Sequence, residues 1–283
     1  MIISEAASAK VNLFLHVGER RADGFHPLQS LAVFTGAGDV LHAQAATTLT
    51  LALDGPFAAG LEAEGDNLVL RAARALAAKA GMPAGAALRL TKNLPVASGI
   101  GGGSADAAAA LRALRRLWQL ETDDATLLEI AAALGSDVPV CVPSTSAYME
   151  GRGEILTPVA LPRLPMLLVN PGVAVPTRDV FAALKTRSGA DLALPGGFGN
   201  ASALLHFLSA MRNDLEAPAR ALQPVIAEVL DALAALPDVR LARMSGSGAT
   251  CFALFDDDAA CAHGAGMLQA ASMGWWVAPT FTR

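Results

Sequence analysis

The sequence is short of positive charge, of cysteine and of lysine, and each shortage closes off a class of function. Lysine and arginine total 21 against 26 aspartates and glutamates, a net charge of −5 with a pI near 5.5. No overall positive field exists to gather nucleic acid or anionic lipid, so neither partner is expected. A polyphosphate ligand would have to be held locally, by a helix N-terminus, backbone N–H groups and a few placed cations. The three cysteines, Cys141, Cys251 and Cys261, are odd in number and widely spaced. Residues 1–10 also lack the charged-then-apolar layout of a signal peptide, so a reduced, cytoplasmic protein is expected. Residues 192–211 and 259–282 are free of formal charge, but glycines and prolines interrupt both, and neither reads as a membrane span. Asn200-Ala201-Ser202 fits a glycosylation pattern that is meaningless without secretion.

What is present is a chain of 283 residues, 53% hydrophobic, enough for two domains with cores of their own. Strand-like runs at Lys10 to Val17, Leu31 to Phe34, Val40 to Ala43, Thr47 to Leu53 and Leu88 to Lys92 open it as a sheet. Asp66-Asn67 offers a cap for an amphipathic helix that Gly81 and Pro83 stop. An alanine-rich helix over 104–120 and a third over about 124–134 come next, then strands at Val138 to Val142, Ala147 to Glu150 and Glu154 to Pro158. Leu161-Pro162-Arg163-Leu164-Pro165 reads as a linker, giving domains at 1–160 and 161–283. The second half reads as a strand at Met166 to Asn170, a helix at Thr177 to Leu184, two or three helices over 201–236, two strands, a helix and a last strand. The irregular mixture predicts α+β layers rather than a doubly wound sheet.

Pro95-Val96-Ala97-Ser98-Gly99-Ile100-Gly101-Gly102-Gly103-Ser104-Ala105 comes after a strand and enters a helix. Consecutive backbone N–H groups and the helix dipole can converge there on an anion, and glycine permits the close approach. No Gly-Lys-Ser/Thr occurs in the chain, and Ser104 stands where a dinucleotide fingerprint needs its third glycine, so two common nucleotide motifs drop out. A tight turn alone is the other reading, but four glycines in five positions are an entropic cost a mere turn does not need. Ser104 can meet a phosphate oxygen or a phosphate-bound magnesium ion, or cap the helix.

Phosphoryl transfer requires a carboxylate to receive or orient a hydroxyl proton and a cation beside it. Asp137, between a helix end and an apolar run, and Lys10, at the start of an apolar strand, are both awkward charges, suited to that role or to a structural ion pair. Only four lysines occur (Lys10, Lys79, Lys92, Lys185) against seventeen arginines, so a retained lysine hints at a need for a compact ammonium. Lys92 can approach a nucleotide or lie at a solvated strand end. Asn12 shares the Lys10 face by the two-residue period, to contact substrate or bridge strands. Phe25 and His26 can stack on and hydrogen-bond a pyrimidine or serve structure; Thr177 and Phe181, a helical turn apart, can close a site or act as cap and core.

The glycine segment resembles the central ATP-binding motif of the GHMP kinases, in the branch acting on a cytidine-diphosphate-linked methylerythritol. Ala9-Lys10-Val11-Asn12-Leu13, Leu134-Gly135-Ser136-Asp137-Val138-Pro139 and Met244-Ser245-Gly246-Ser247-Gly248-Ala249 match in the right order, as do Arg21-Ala22-Asp23-Gly24-Phe25-His26 and Asp66-Asn67-Leu68. The resemblance implies an α+β, two-domain fold with an N-terminal ATP-binding domain like ribosomal protein S5 domain 2 and a C-terminal ferredoxin-like sandwich. It implies ATP with Mg2+ as phosphate donor and a small-molecule acceptor, with no protein partner indicated. Lys10 and Asp137 fall on the family's catalytic pair. Asn67, Lys92 and residues 95–105 fall on its ATP-binding part; Asn12, Phe25, His26, Asp137, Thr177 and Phe181 fall on its substrate site. Ala97-Ser98 stand where several relatives have glycines, Ala105 replaces a second serine, and Phe25 a frequent tyrosine. With Ala32 at a place where some relatives have an aromatic, the rings that sandwich the base stay open.

Overall fold

The computed structural model describes every residue except 23, 62–66, 190 and 272, so Asp23 and Asp66 of the motifs above lie outside the described residues. Packing divides the chain into two compact units: Met1–Ala9, Gly38–Val96 and Gly101–Ser144 form one, and Lys10–Ala37, Ala97–Ile100 and Thr145–Arg283 the other. Two long, mutually paired strands, β1 (Ile2–Val17) and β2 (Leu28–Ala45), each contribute part of their length to each unit. The linker segment 161–164 is outside any helix or strand.

In the first unit the later part of β2 pairs antiparallel with β4 (Ala86–Thr91), which pairs in parallel with β3 (Thr50–Asp54). Ala86, Leu88 and Leu90 of β4 are buried, alternating with the exposed Ala87 and Arg89. Helix α1 (Leu68–Lys79) begins where the Asn67 side chain accepts the Val69 N–H at 2.9 Å. Its buried stripe, Val69, Ala72, Ala73, Leu76 and Ala77, packs on α2 (Gly102–Leu117). Leu76 is fully buried, and truncation to alanine there costs about 3 kcal/mol. The run of buried alanines from Ala107 to Ala110 lets α2 lie close to its neighbours. Helix α3 (Asp124–Leu134), capped by Asp123, has the span expected.

Two expectations fail here for physical reasons. The predicted strand at Val138 to Val142 is instead a short helix, α4 (Val138–Cys141). Pro139 sits in its first turn, where a fixed φ and a missing N–H are harmless, and a short apolar run cannot tell a buried strand from a buried helix. The two runs at 31–34 and 40–43 are one strand, because Gly38 continues β2 where a Cβ would lie 2.6 Å from the Ala7 carbonyl oxygen of β1.

In the second unit the earlier part of β2 pairs with β5 (Ala147–Gly151), which pairs with β6 (Ile155–Pro158). A separate antiparallel sheet runs in the order β10 (Trp276–Phe281), β7 (Pro165–Asn170), β9 (Cys251–Leu254), β8 (Leu241–Met244). Helices α8 (Val225–Ala234) and α9 (Asp258–Ala270) pack on it, as a ferredoxin-like sandwich requires, with Leu167, Val169, Ile226, Val229, Leu233 and Phe255 in the core. The shorter helices α5 (Thr177–Ala182), α6 (Ala201–Ser209) and α7 (Glu216–Leu222) complete it. Cys141, Cys251 and Cys261 are buried and free; burial pushes the Cys251 and Cys261 thiols above the ordinary range. Among the described residues no helix is long and apolar enough to cross a membrane.

Candidate active site

The glycine segment leaves β4 at Lys92, whose N–H donates to the Asp54 carbonyl at 2.7 Å and whose carbonyl accepts from Phe57 at 3.2 Å. Ala97, Gly99 and Gly101 then take left-handed backbone angles, with φ of 51°, 77° and 65°. At Ala97 that conformation costs about 1 kcal/mol that glycine would not incur. Gly101 is the N-cap of α2 and offers no side-chain cap, so the head of a sixteen-residue helix presents its first-turn N–H groups and positive dipole end through Gly102, Gly103 and Ser104. Ser104 and Gly102 are half-buried and Gly103 exposed, while Val96 and Ala97 face solvent and Pro95, Ser98, Ile100 and Ala105 are buried.

The second unit holds the turn from Ala97 to Ile100 against two other motif segments. The Lys10 N–H donates to the Ile100 carbonyl at 2.9 Å, and Thr250 N–H to the Ser98 carbonyl at 3.0 Å. A Cβ on Gly99 would lie 2.6 Å from the Gly248 carbonyl oxygen and 2.7 Å from that of Ser245, so the two glycine-rich turns touch backbone to backbone. The Ser245 hydroxyl, wholly buried, donates to the Gly99 carbonyl at 3.1 Å and accepts the Asn12 N–H at 3.1 Å. Lys10 is buried, and its Nζ donates to Asn12 Oδ1 at 3.1 Å, as the two-residue period of β1 anticipates. The Asn12 amide in turn donates to Ser30 Oγ at 2.7 Å, and Ser30 donates to the Phe14 carbonyl.

Two supports of this arrangement lie outside the motifs read in the sequence. Asn213 Nδ2 donates at 2.8 Å to the carbonyls of Met244 and Gly246, shaping the second turn. Arg243 is buried in β8 and donates to the carbonyls of Leu13, Leu208 and Met211; burial lowers it to about 10 against the pull of Glu216. A cation inside a short apolar strand is the signal by which Arg243 could have been found, since the same argument singles out Lys10.

The residues expected to face the substrate also have neighbours in the second unit. His26 Nδ1 lies 3.0 Å from the Gly18 carbonyl; a carbonyl only accepts, so Nδ1 carries the proton and Nε2 is left to receive or share one. Its ring stacks on Phe181 with centroids 5.9 Å apart at 26°. Phe25 is half exposed, with the Arg152 guanidinium 4.3 Å over its ring. Thr177 does not cap α5, which begins after Pro176; its hydroxyl bonds that of Ser247 at 2.8 Å.

In the first unit Asp137 is half-buried, immediately ahead of α4, and its side chain makes no cap hydrogen bond. Asn67 Oδ1 is spent on capping α1. Lys92 is not at a solvated strand end: it is buried, its Nζ bonded to Asp39 Oδ2 and, at 2.6 Å, to Asp106 Oδ2. Burial works against the Lys92 ammonium, but Asp106 and Asp39 outweigh it and hold its pKa above the usual value. Burial likewise pushes the Asp106 carboxyl up to about 7 against the pull of Lys92.

Residues 67–144 match the GHMP kinases N-terminal domain, and residues 191–263 the GHMP kinases C-terminal domain. The crystal structure of a 4-(cytidine 5'-diphospho)-2C-methyl-D-erythritol kinase superposes with a TM-score of 0.82 at 35% identity, covering 99% of both chains. A homoserine kinase from Cytophaga hutchinsonii (TM-score 0.68, 18% identity; 100% and 94% covered) and an L. major mevalonate kinase (0.70, 15%; 99% and 95%) share the fold. The chain belongs to the GHMP kinases and is an ATP-dependent kinase. Among curated relatives, the 4-diphosphocytidyl-2-C-methyl-D-erythritol kinase of Rhodospirillum rubrum is 53% identical over 275 residues, 97% of this chain and 90% of its own. That of Cereibacter sphaeroides is 51% identical over 277 residues, covering 96% of both.

Proposed function

We propose that this kinase transfers the γ-phosphate of ATP to the 2-hydroxyl of 4-diphosphocytidyl-2-C-methyl-D-erythritol, giving the 2-phosphate and ADP in the methylerythritol phosphate route to isoprenoid precursors. The observation that carries the reading is the hydrogen bond from Lys10 N–H to the Ile100 carbonyl, which seats the buried lysine's strand directly on the glycine turn. In this reading residues 95–105 receive the triphosphate at the head of α2, with Asn67 on the nucleotide side. Mg2+ needs few protein oxygens when phosphates supply the rest, and the Ser104 hydroxyl in the first turn offers one. Bound there, the ion neutralises phosphate charge during transfer. Asp137 takes up the acceptor's hydroxyl proton, and Lys10 steadies the negative charge that grows on the acceptor oxygen. Asn12 hydrogen-bonds the acceptor; Phe25, His26 and Phe181 receive the cytosine, with Thr177 closing that side. Residues 1–160 thus carry the nucleotide and 161–283 complete the acceptor's site. The three free, buried cysteines suit a reducing cytoplasm.

An acceptor panel in a coupled ADP-release assay tests this. Turnover is expected with the cytidine-diphosphate-linked methylerythritol and not with homoserine, mevalonate or galactose. Turnover with one of those three, and none with the cytidylyl compound, would overturn the assignment.

A further inference from the structure

Beneath the head of α2 lies a charge cluster that the transfer chemistry does not use. Asp39 from β2, Lys92 from the end of β4 and Asp106 from the start of α2 are 1%, 3% and 4% exposed. The ammonium bridges Oδ2 of both carboxylates. Asp39 uses its other oxygen to accept the N–H groups of Asn93 at 2.6 Å and Leu94 at 2.9 Å, the two residues that lead into the glycine segment. The Asn93 side chain adds a bond to the Gly38 carbonyl at 3.2 Å. A Cβ on Gly102 would sit 3.7 Å from Lys92 Nζ and 3.8 Å from Asp39 Oδ2, so the cluster underlies the first residue of the helix. Both its ends are therefore fixed to the backbone of the segment that begins and ends the turn: Asp39 to its entry, Asp106 to its exit. A buried cation held by two buried carboxylates has one arrangement, and removing one partner leaves an uncompensated charge.

We propose that Asp39, Lys92 and Asp106 are positioning residues that set the head of α2 relative to the entry of the glycine turn, and that Lys92 serves ATP binding through these carboxylates rather than by touching the nucleotide. The inference rests on the reading that the triphosphate binds at the α2 head.

The test uses the whole enzyme and measures KM for ATP and for the acceptor separately. Lys92→Met strands two facing carboxylates and is expected to raise KM for ATP by about tenfold or more, with KM for the acceptor within about twofold. Adding Asp106→Asn removes one of those charges and should recover at least about threefold of that loss. A lysine that contacts phosphate directly would show no such recovery, and a folded double variant as poor as Lys92→Met overturns the proposal. Should Lys92→Met fail to fold, Asp106→Asn alone decides. It keeps an oxygen toward Lys92, and the oxygen it replaces, Oδ1, has no hydrogen-bond partner among the described residues. A KM for ATP raised about two- to fivefold in the folded variant is expected, and an unchanged one overturns the proposal. Leu76→Ala, which lowers Tm through the same helix pair, should leave both KM values alone; a rise in KM for ATP there would reduce the cluster to general stability. Gly103→Asp isolates the underlying reading, because Gly103 is exposed with nothing within 4 Å of a Cβ. The added carboxylate should weaken ATP by about tenfold or more. No effect there overturns the phosphate reading and this inference with it, whereas a responsive Gly103→Asp without recovery in the double variant overturns the cluster alone.

Discussion

The turn from Gly99 to Gly103 and the turn from Ser245 to Gly248 draw on the same few residue types, yet the first ends at a helix head and the second joins two strands. In the second, Asn213 meets the carbonyls of Met244 and Gly246, and Ser245 is spent on Gly99 and Asn12. These polar groups are answered within the protein, and the backbone at Gly99 rests against this turn. In the first, the helix beyond the turn has no side-chain cap, and on the proposed function its N–H groups are what would hold an anion. Glycine content alone therefore does not separate the two turns; the element into which each leads does.

The contrast is broken most severely at their contact. Gly99→Val places a Cβ on the Gly248 carbonyl at a φ of 77° that valine resists. A loss of about 3 kcal/mol in denaturant unfolding and of about 100-fold or more in kcat/KM is expected. Asn213→Ala leaves the second turn's carbonyls unanswered, and about 2 kcal/mol should disappear from the same unfolding curve, with activity declining through the Gly99 contact. Acid reaches the second turn by a neighbouring route. Asp214 is held below its ordinary 3.8, because hydrogen bonds from Ser188 and Val17 outweigh the opposing effect of burial. A depressed carboxyl contributes stability that is present above pH 3.8 and is lost as the pH falls through its lower folded value. Melting curves stepped downward from pH 5 should thus show an acid limb that Asp214→Asn makes shallower. The smallest effects belong to the first turn and run in the stabilising direction. Ala97→Gly relieves a left-handed alanine and should add about 1 kcal/mol. Gly103→Ala, inside the helix with open space for a methyl, should add about 0.5–1 kcal/mol. A loss from either would mean that the turn's backbone is not as described.

Much of this was legible in the chain itself, where the signal is local. Asn67 as a cap, the span of α3, and the shared face of Lys10 and Asn12 come from capping chemistry and strand period. The α2 head comes from four glycines before an alanine run. The features that escaped reading lie in contacts made across long stretches of chain. Ser245 reaches Asn12 from 233 residues away, and no spacing announces it. Lys92 reads as a nucleotide ligand or a solvated strand end, and no spacing announces that Asp39, 53 residues earlier, pairs with it in the interior. Val138 to Cys141 reads as a strand because four apolar residues carry no period, and only Pro139 hinted at a helix start.

On the proposed function, labour in this kinase is divided between the helix head, which would hold the nucleotide, and Asp137, which would serve the acceptor. Asp137→Asn should lower single-turnover transfer by about a thousandfold or more while ATP affinity, measured by equilibrium titration, stays within about twofold, because the carboxylate acts on the acceptor and not on the nucleotide. Equal losses of transfer and of ATP affinity, or near-normal transfer by the variant, would contradict that division.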